Sequence, residues 1–400
     1  MLWASAVSDA TDLDAAVSDV AQRVTKAFRD EPIDLAVLFV SHHFARDYAE
    51  IPRRLSARIP YRTLLGCCAG GVIGGGAEVE QRPGIALTLA GLPDVTVTPF
   101  ALAAEALPDQ DAAPGAWRQA LGIPSRPVPH FILLADPFTF ASENLLAGLD
   151  YAYPKSTKVG GLASGATRPG GNVLYLDRRM ERAGVVGVAL AGDIEVDTIV
   201  AQGCRPIGEP MQVTRCDGHI LYELDGESAL KVLQDLAARL PEYDRELMTH
   251  SLFLGVAMDE LALEHRAGSF LVRNLMGIDV QNGAIAIAEH LRDGQSVQFH
   301  LRDAQTSADD LQLLLERFKA EAPRPRAQGA LLFSCLGRGI HLYGEPDHDT
   351  GLFRRVVGEV PLGGFFCNGE IGPVGGATHL HGYTSSFGLF RAATTPAALE

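Results

Sequence analysis

Gly66-Cys-Cys-Ala-Gly-Gly-Val-Ile-Gly-Gly-Gly76 is the stretch from which the fold can be read. Upstream lies an apolar run, Leu35-Ala-Val-Leu-Phe-Val40, and a helical segment with Phe44, Tyr48, Ile51 and Leu55 on one face. Downstream comes another strand, Gly84-Ile-Ala-Leu-Thr-Leu-Ala90. The unit is therefore strand, helix, strand, glycine corner, strand.

The same order returns twice. From Phe131 to Gly192 the strand Phe131-Ile-Leu-Leu-Ala135 precedes a helix with Leu145, Leu146 and Leu149 inward, for which Ser142 is the expected cap. The corner Gly160 to Gly171 and the strand Gly184 to Gly192 complete that pass. From Ala330 to Arg391 the strand Ala330-Leu-Leu-Phe-Ser-Cys335 is followed by a stripe of Leu352, Phe353, Val356, Val357 and Val360, then the corner Gly363 to Gly376. Paired glycines stand four apart in the first two passes (Gly66/Gly70, Gly161/Gly165) and five apart in the third (Gly364/Gly369). A fainter fourth pass starts at Phe253 and continues through Phe270 to Gly277. Glu227 to Leu240, with Leu230, Val232, Leu233 and Leu236, reads as the helix that opens the second half. Ala103 to Pro127 and Pro323 to Arg326 read as surface connections. The expected fold is α/β (α+β), with two quasi-repeated halves of β-α-β-loop-β units. Mixed sheets would pack face to face, with helices outside.

Composition bounds the function. Four hundred residues, 47% of them hydrophobic, can bury a large core. A net charge of −15 disfavours nucleic acid and anionic membrane surfaces as partners. No apolar run reaches the length of a membrane span, and the N-terminus has no basic segment before an apolar one. Six cysteines, without a CxxC pair, form no disulfide framework, so a reduced, cytoplasmic protein is expected.

Gln202-Gly-Cys-Arg-Pro-Ile-Gly208, after Gly187-Val-Ala-Leu-Ala-Gly-Asp193, resembles the signature of the FIST domain family, sensory modules of signal transduction. The resemblance continues through Phe270 to Asp279, Gly294 to Ala304, and Cys367 to Thr384. It implies an N-terminal FIST domain at 33–223 and a C-terminal FIST domain at 226–391. It also implies an intracellular sensor of small molecules, with an amino acid or a similar carboxylate as ligand. Some family members resemble haem-based nitric oxide sensors, which makes haem the alternative cofactor. The chain has no room for a kinase, receptor or cyclase module, so its output would pass through a signalling partner protein or a conformational change.

Candidate ligand-binding residues are Gln202, Gly203, Cys204 and Arg205 in one half and Asn368, Glu370 and Thr384 in the other. Arg205 offers a bidentate fork for a carboxylate, and Glu370 could take an ammonium. Equally, Arg205 could pair with an internal carboxylate, and Glu370 with Arg273 or Arg302. The glycine corners could present N–H groups to an anion or simply permit tight strand corners; none carries a nucleotide-loop lysine.

His379 and His381 form an H-x-H half-site lacking further ligands, so no metal is assigned. His290, His300 and His341 are lone histidines, any one of which could ligate haem; for these, and for His42 and His43 at a strand end, structural or solvated roles stay open. No catalytic residue is assigned. A cysteine-dependent enzyme is the remaining alternative, because Cys67, Cys68 and Cys204 read as turn residues where a thiolate could be activated.

Overall fold

Leu38 faces Gly66 across a parallel strand pair, Leu133 faces Gly160 in a second, and Leu332 faces Gly364 in a third. A Cβ on any of these glycines would lie 2.2, 1.9 or 1.9 Å from the opposing leucine carbonyl oxygen. The three glycines are therefore equivalent positions, required by close approach of neighbouring strands. Gly71, Gly165 and Gly369 each follow five residues later, so the glycine spacing is uniform in all three passes.

The computed structural model describes residues 1–29, 31–109, 111–258, 270–321 and 326–393. Its first compact unit comprises residues 1–200 and the chain from 312 onward; its second comprises 201–311. Both are built of mixed helix and strand.

The first unit opens with β1 (Leu2–Ser8), α1 (Leu13–Phe28), β2 (Ile33–Ser41), α2 (Ile51–Ser56), β3 (Tyr61–Ala69), the hairpin β4 (Gly71–Gly74) and β5 (Ala77–Glu80), and β6 (Ile85–Gly91). The order repeats as β7 (Val95–Leu102), α3 (Pro114–Leu121), β8 (Pro129–Ala135), α4 (Ser142–Ala152), β9 (Lys158–Leu162), the hairpin β10 (Leu174–Leu176) and β11 (Arg179–Glu181), and β12 (Val185–Gly192).

A third copy starts with β13 (Glu195–Ala201). The chain then forms the second unit: β14 (Arg205–Asp217), β15 (Ile220–Leu224), β16 (Glu227–Ser228), α5 (Ala229–Arg239), α6 (Glu242–Met248), β17 (Leu252–Ala257), β18 (Phe270–Asp279), β19 (Ala284–Ile287) and β20 (Ser296–Leu301). The copy resumes along α7 (Ala304–Glu321), β21 (Gly329–Cys335), α8 (Ile340–Tyr343), α9 (His348–Val357), β22 (Leu362–Cys367), the hairpin β23 (Glu370–Val374) and β24 (Ala377–His381), and β25 (Ser385–Arg391).

Each copy builds a six-stranded mixed sheet, and the three sheets have the same order: β1-β6-β2-β3-β10-β11, β7-β12-β8-β9-β23-β24 and β13-β25-β21-β22-β4-β5. The last two strands of every sheet belong to another copy. The first copy's hairpin joins β22, the second's joins β3 and the third's joins β9, closing a cycle. All three hairpins use two-residue turns containing positive φ: Gly75-Gly76, Asp177-Arg178 and Gly375-Gly376.

The sheets share one apolar core. Phe39 of the first stacks on Phe365 of the third at 4.6 Å, and a Cβ on Gly388 of the third would touch Val159 of the second. On α1, Ala16, Val17, Val20, Ala21 and Val24 form the buried stripe, while Asp12 accepts from the Ala15 N–H at the helix start.

The second unit is a closed antiparallel barrel. Its ladder β14-β20-β17-β18-β19-β15 closes through the β14–β15 pairing, around Leu221, Leu254, Ile285, Val297 and Phe299.

Several expectations change. The supposed fourth pass belongs to this barrel, where β17 and β18 are antiparallel instead of the parallel pair of the other three. Between Ala103 and Pro127 the chain is not a bare connection: it forms α3, whose Trp117 is fully buried and anchors the helix. Ser142 does not cap α4; it is the first helical residue, after Ala141. Phe44, Tyr48, Ile51 and Leu55 are all buried, but on two 3₁₀ turns followed by the short α2. Pro323 to Pro325 lie outside the described residues.

Candidate functional site

The Gln202 to Arg205 turn stands where the chain enters the barrel unit. Gln202 clips onto β18: its Nε2 donates to Phe270 O at 2.8 Å and its Oε1 accepts from Val272 N at 3.0 Å. The Gly203 N–H donates to Asp310 Oδ2 at 2.8 Å, while the Ser307 hydroxyl donates to Gly203 O at 3.0 Å. Arg205 donates from both terminal nitrogens to Asp244 and approaches Asp303 from Nε at 3.5 Å. These carboxylates raise its already high pKa. Of the two readings open for Arg205, the geometry realises the internal pair. Cys204 is half-buried between these anchors.

In the first unit, Glu370 and Thr384 come together. Glu370 is wholly buried, and its Oε2 accepts the Thr384 N–H at 3.1 Å. Asn368 is exposed and donates from Nδ2 to Ala163 O at 3.3 Å. Arg273, named above as a partner for Glu370, instead pairs with Glu289 at 2.7 Å. The glycine corners bind one another: the Gly70 N–H goes to Ser164 Oγ at 2.9 Å, and that hydroxyl donates to Phe366 O.

Cys67 and Cys68 are not turn residues. Both lie in β3, fully buried, and burial pushes each thiol pKa up. Neither is poised as a thiolate.

Among the described residues, no group of three or more His, Cys, Asp or Glu side chains is placed to hold a metal ion. His381 is buried with Nε2 at 3.0 Å from Gly372 O, and His300 with Nδ1 at 2.9 Å from Gln298 O. His42, His43, His290 and His341 are exposed. None of the seven histidines considered lines either cavity described below, so these residues do not assemble an axial haem ligand there.

A polar cluster that sequence reading missed sits past the carboxyl end of β21. Arg338, fully buried, donates to Asp349 from Nε at 2.9 Å and from Nη2 at 3.3 Å, and Nη2 also reaches the Tyr343 hydroxyl. Ser385 Oγ donates to Asp349 Oδ2 at 2.5 Å, and the His348 ring stacks on Tyr343. Burial alone would raise the Asp349 pKa, but the adjacent Arg338 charge holds it well below the usual range. Glu78, from the hairpin contributed by the first copy, accepts the Thr350 N–H at 2.9 Å. Burial, reinforced by Asp349, raises the Glu78 pKa. In open α/β sheets this end of parallel strands is where ligands gather.

Thr350 also lines a cavity of about 320 Å³. Trp3 and Phe353 supply its apolar wall, Ser5 a second hydroxyl, and the Gly75-Gly76 turn backbone. Arg354 and Glu359, both exposed, bring opposite charges to it. Trp3 is 4% exposed, and its Nε1 makes no hydrogen bond among the described residues. The Gly358-Glu359-Val360 loop lines this cavity and a second one of about 530 Å³. The charged pair had no sequence signal, because Arg354 and Glu359 read as an ordinary solvated helix end.

Comparison with known proteins accounts for the motif order. The FIST N domain matches residues 34–227 and the FIST C domain 229–373. The chain belongs to the FIST family, whose domains are sensory modules of signal transduction. These matched halves and the compact units of the fold are divided at different places. An uncharacterized protein of Mycobacterium tuberculosis (strain ATCC 25618 / H37Rv) is 37% identical over 386 residues, 96% of this chain and 98% of its own length. An uncharacterized protein of Mycobacterium bovis is 36% identical over 383 residues, 95% of this chain and 96% of its own. An F-box/LRR-repeat protein of Arabidopsis thaliana is 25% identical over 281 residues, 61% of this chain and 52% of its own. No described helix is long and apolar enough to cross a membrane.

Proposed function

We propose that the protein is a ligand-binding sensor for an amino acid or a similar small carboxylate, held in the cavity between Trp3 and α9. The observation that carries this reading is a cavity wall that sets the Trp3 and Phe353 rings beside the opposite charges of Arg354 and Glu359. A carboxylate complements Arg354, an ammonium complements Glu359, and the rings cover the apolar part of such a ligand. Gln202 to Arg205 and the Glu370–Thr384 corner serve this reading as supports, because Gln202, Gly203, Arg205 and Glu370 Oε2 are hydrogen-bonded within their own units. Binding would be reported to a signalling partner protein. The route begins at Thr350, which touches both the cavity and Glu78 of the exchanged hairpin.

The test is a titration of the twenty amino acids, read by melting temperature and by Trp3 fluorescence, with Trp3→Phe separating the signal of Trp117. A bound amino acid should raise the melting temperature and shift Trp3 emission, and Arg354→Ala should abolish both effects. If no amino acid moves either signal, the reading fails.

A further inference from the structure

We propose that the second cavity is a separate binding site for an organic carboxylate with an apolar body. It measures about 530 Å³ and is lined within the first unit by the last turns of α7, the chain at 326–327, Asp197 and the loop after α9. Phe318, Val357 and Val360 give it an apolar surface, and Lys319 and Arg326 bring two cations. Neither cation forms an ion pair among the described residues.

The anionic groups in the wall do not cancel that charge. Asp197 is held by Arg391, with Nε donating to Oδ2 at 2.8 Å and Nη2 to Oδ1 at 3.4 Å. Its charge is therefore already matched. Arg391 itself is 8% exposed and is not part of the lining. Among the described residues, Glu359 is the remaining carboxylate of the lining, against two cations. A site of this charge favours an anion, and its apolar lining favours one that buries hydrocarbon.

The cavity differs from the Trp3 site in the chemistry it offers. Among the described residues its lining has no tryptophan and no hydroxyl side chain, and their charge is net positive once the Asp197–Arg391 pair is counted as neutral. The two cavities share the Gly358-Glu359-Val360 loop, but Phe318, Lys319 and Arg326 belong to this one and Trp3 to the other, so the proposal does not rest on the amino-acid reading.

Isothermal titration of the full-length protein with decanoate, and with inorganic phosphate as an anion lacking a body, tests it. Decanoate should bind without changing Trp3 emission, and phosphate should bind far more weakly. The double variant Lys319→Ala/Arg326→Ala, which alters exposed side chains only, should weaken decanoate by about tenfold or more. The same variant should leave any Trp3 response to amino acids as in wild type. The proposal is overturned if decanoate does not bind, if it binds the double variant equally well, if phosphate binds as tightly, or if decanoate shifts Trp3 emission.

Discussion

The Gly203 N–H donates to the Asp310 carboxylate at 2.8 Å, tying the loop by which the chain enters the barrel unit to the helix along which it leaves. Ser307 and Arg205 add to this staple through Gly203 O and Asp303. The most distinctive motif of the sequence is thus the neck of an inserted unit, lying between β13 and β21 of the third copy. Here Gly203 takes the left-handed turn conformation, Gln202 pairs with the β18 backbone, and Arg205 pairs with two carboxylates.

Arg205→Ala should therefore lower stability even with no ligand present. Removing the guanidinium leaves Asp244 and Asp303 without their shared counter-charge, at a cost of about 1–3 kcal/mol. Chemical denaturation of ligand-free protein checks this; an unchanged midpoint would remove the structural role.

Gly160→Ala and Gly364→Ala should each cost several kcal/mol or abolish folding, because the added methyl would lie 1.9 Å from a backbone oxygen that cannot yield. Gly115→Ala is the control. It lies in α3 with nothing within 4 Å of the added Cβ, and should be neutral or stabilise by up to ~1 kcal/mol. Soluble yield and melting temperature report both.

His130 predicts an acid-side loss of stability. Its Nδ1 accepts the Thr157 N–H at 3.1 Å, and burial, then the Lys158 charge, pushes its pKa down from 6.5 to about 4. Between those values the unfolded chain binds a proton that the folded chain refuses. This contribution is fully present above the unfolded pKa and declines as pH falls from 6.5 toward 4, by roughly 3 kcal/mol in all. His130→Gln should flatten the stability profile over that interval relative to wild type; an unaltered slope would contradict the assignment.

Arg338→Leu should destabilise by about 3–5 kcal/mol, since it strands the buried Asp349 carboxylate. Arg338→Leu with Asp349→Leu should cost less than the sum of the two single changes, because no lone charge is left. Additive losses in a double-mutant cycle would show that the pair is not coupled.

The sequence by itself determined the local units. Alternating and continuous apolar runs marked strands such as Leu35–Val40 and Phe131–Ala135, and the glycine corners marked where strands must approach closely. Motif order along the chain was enough to indicate the FIST family. What it could not determine was which sheet each hairpin joins. Gly71–Glu80 is compatible with any sheet edge, and its pairing with β22 is decided by a shared core that exists only once all three copies are assembled. The same reason hid the cavities and the buried cluster. Trp3 lines one cavity with Thr350 and Arg354, and Glu78 meets Thr350, although each pair is separated by hundreds of residues. Local periodicity fixes which residues turn inward; only the exchange of hairpins among sheets decides what they meet there.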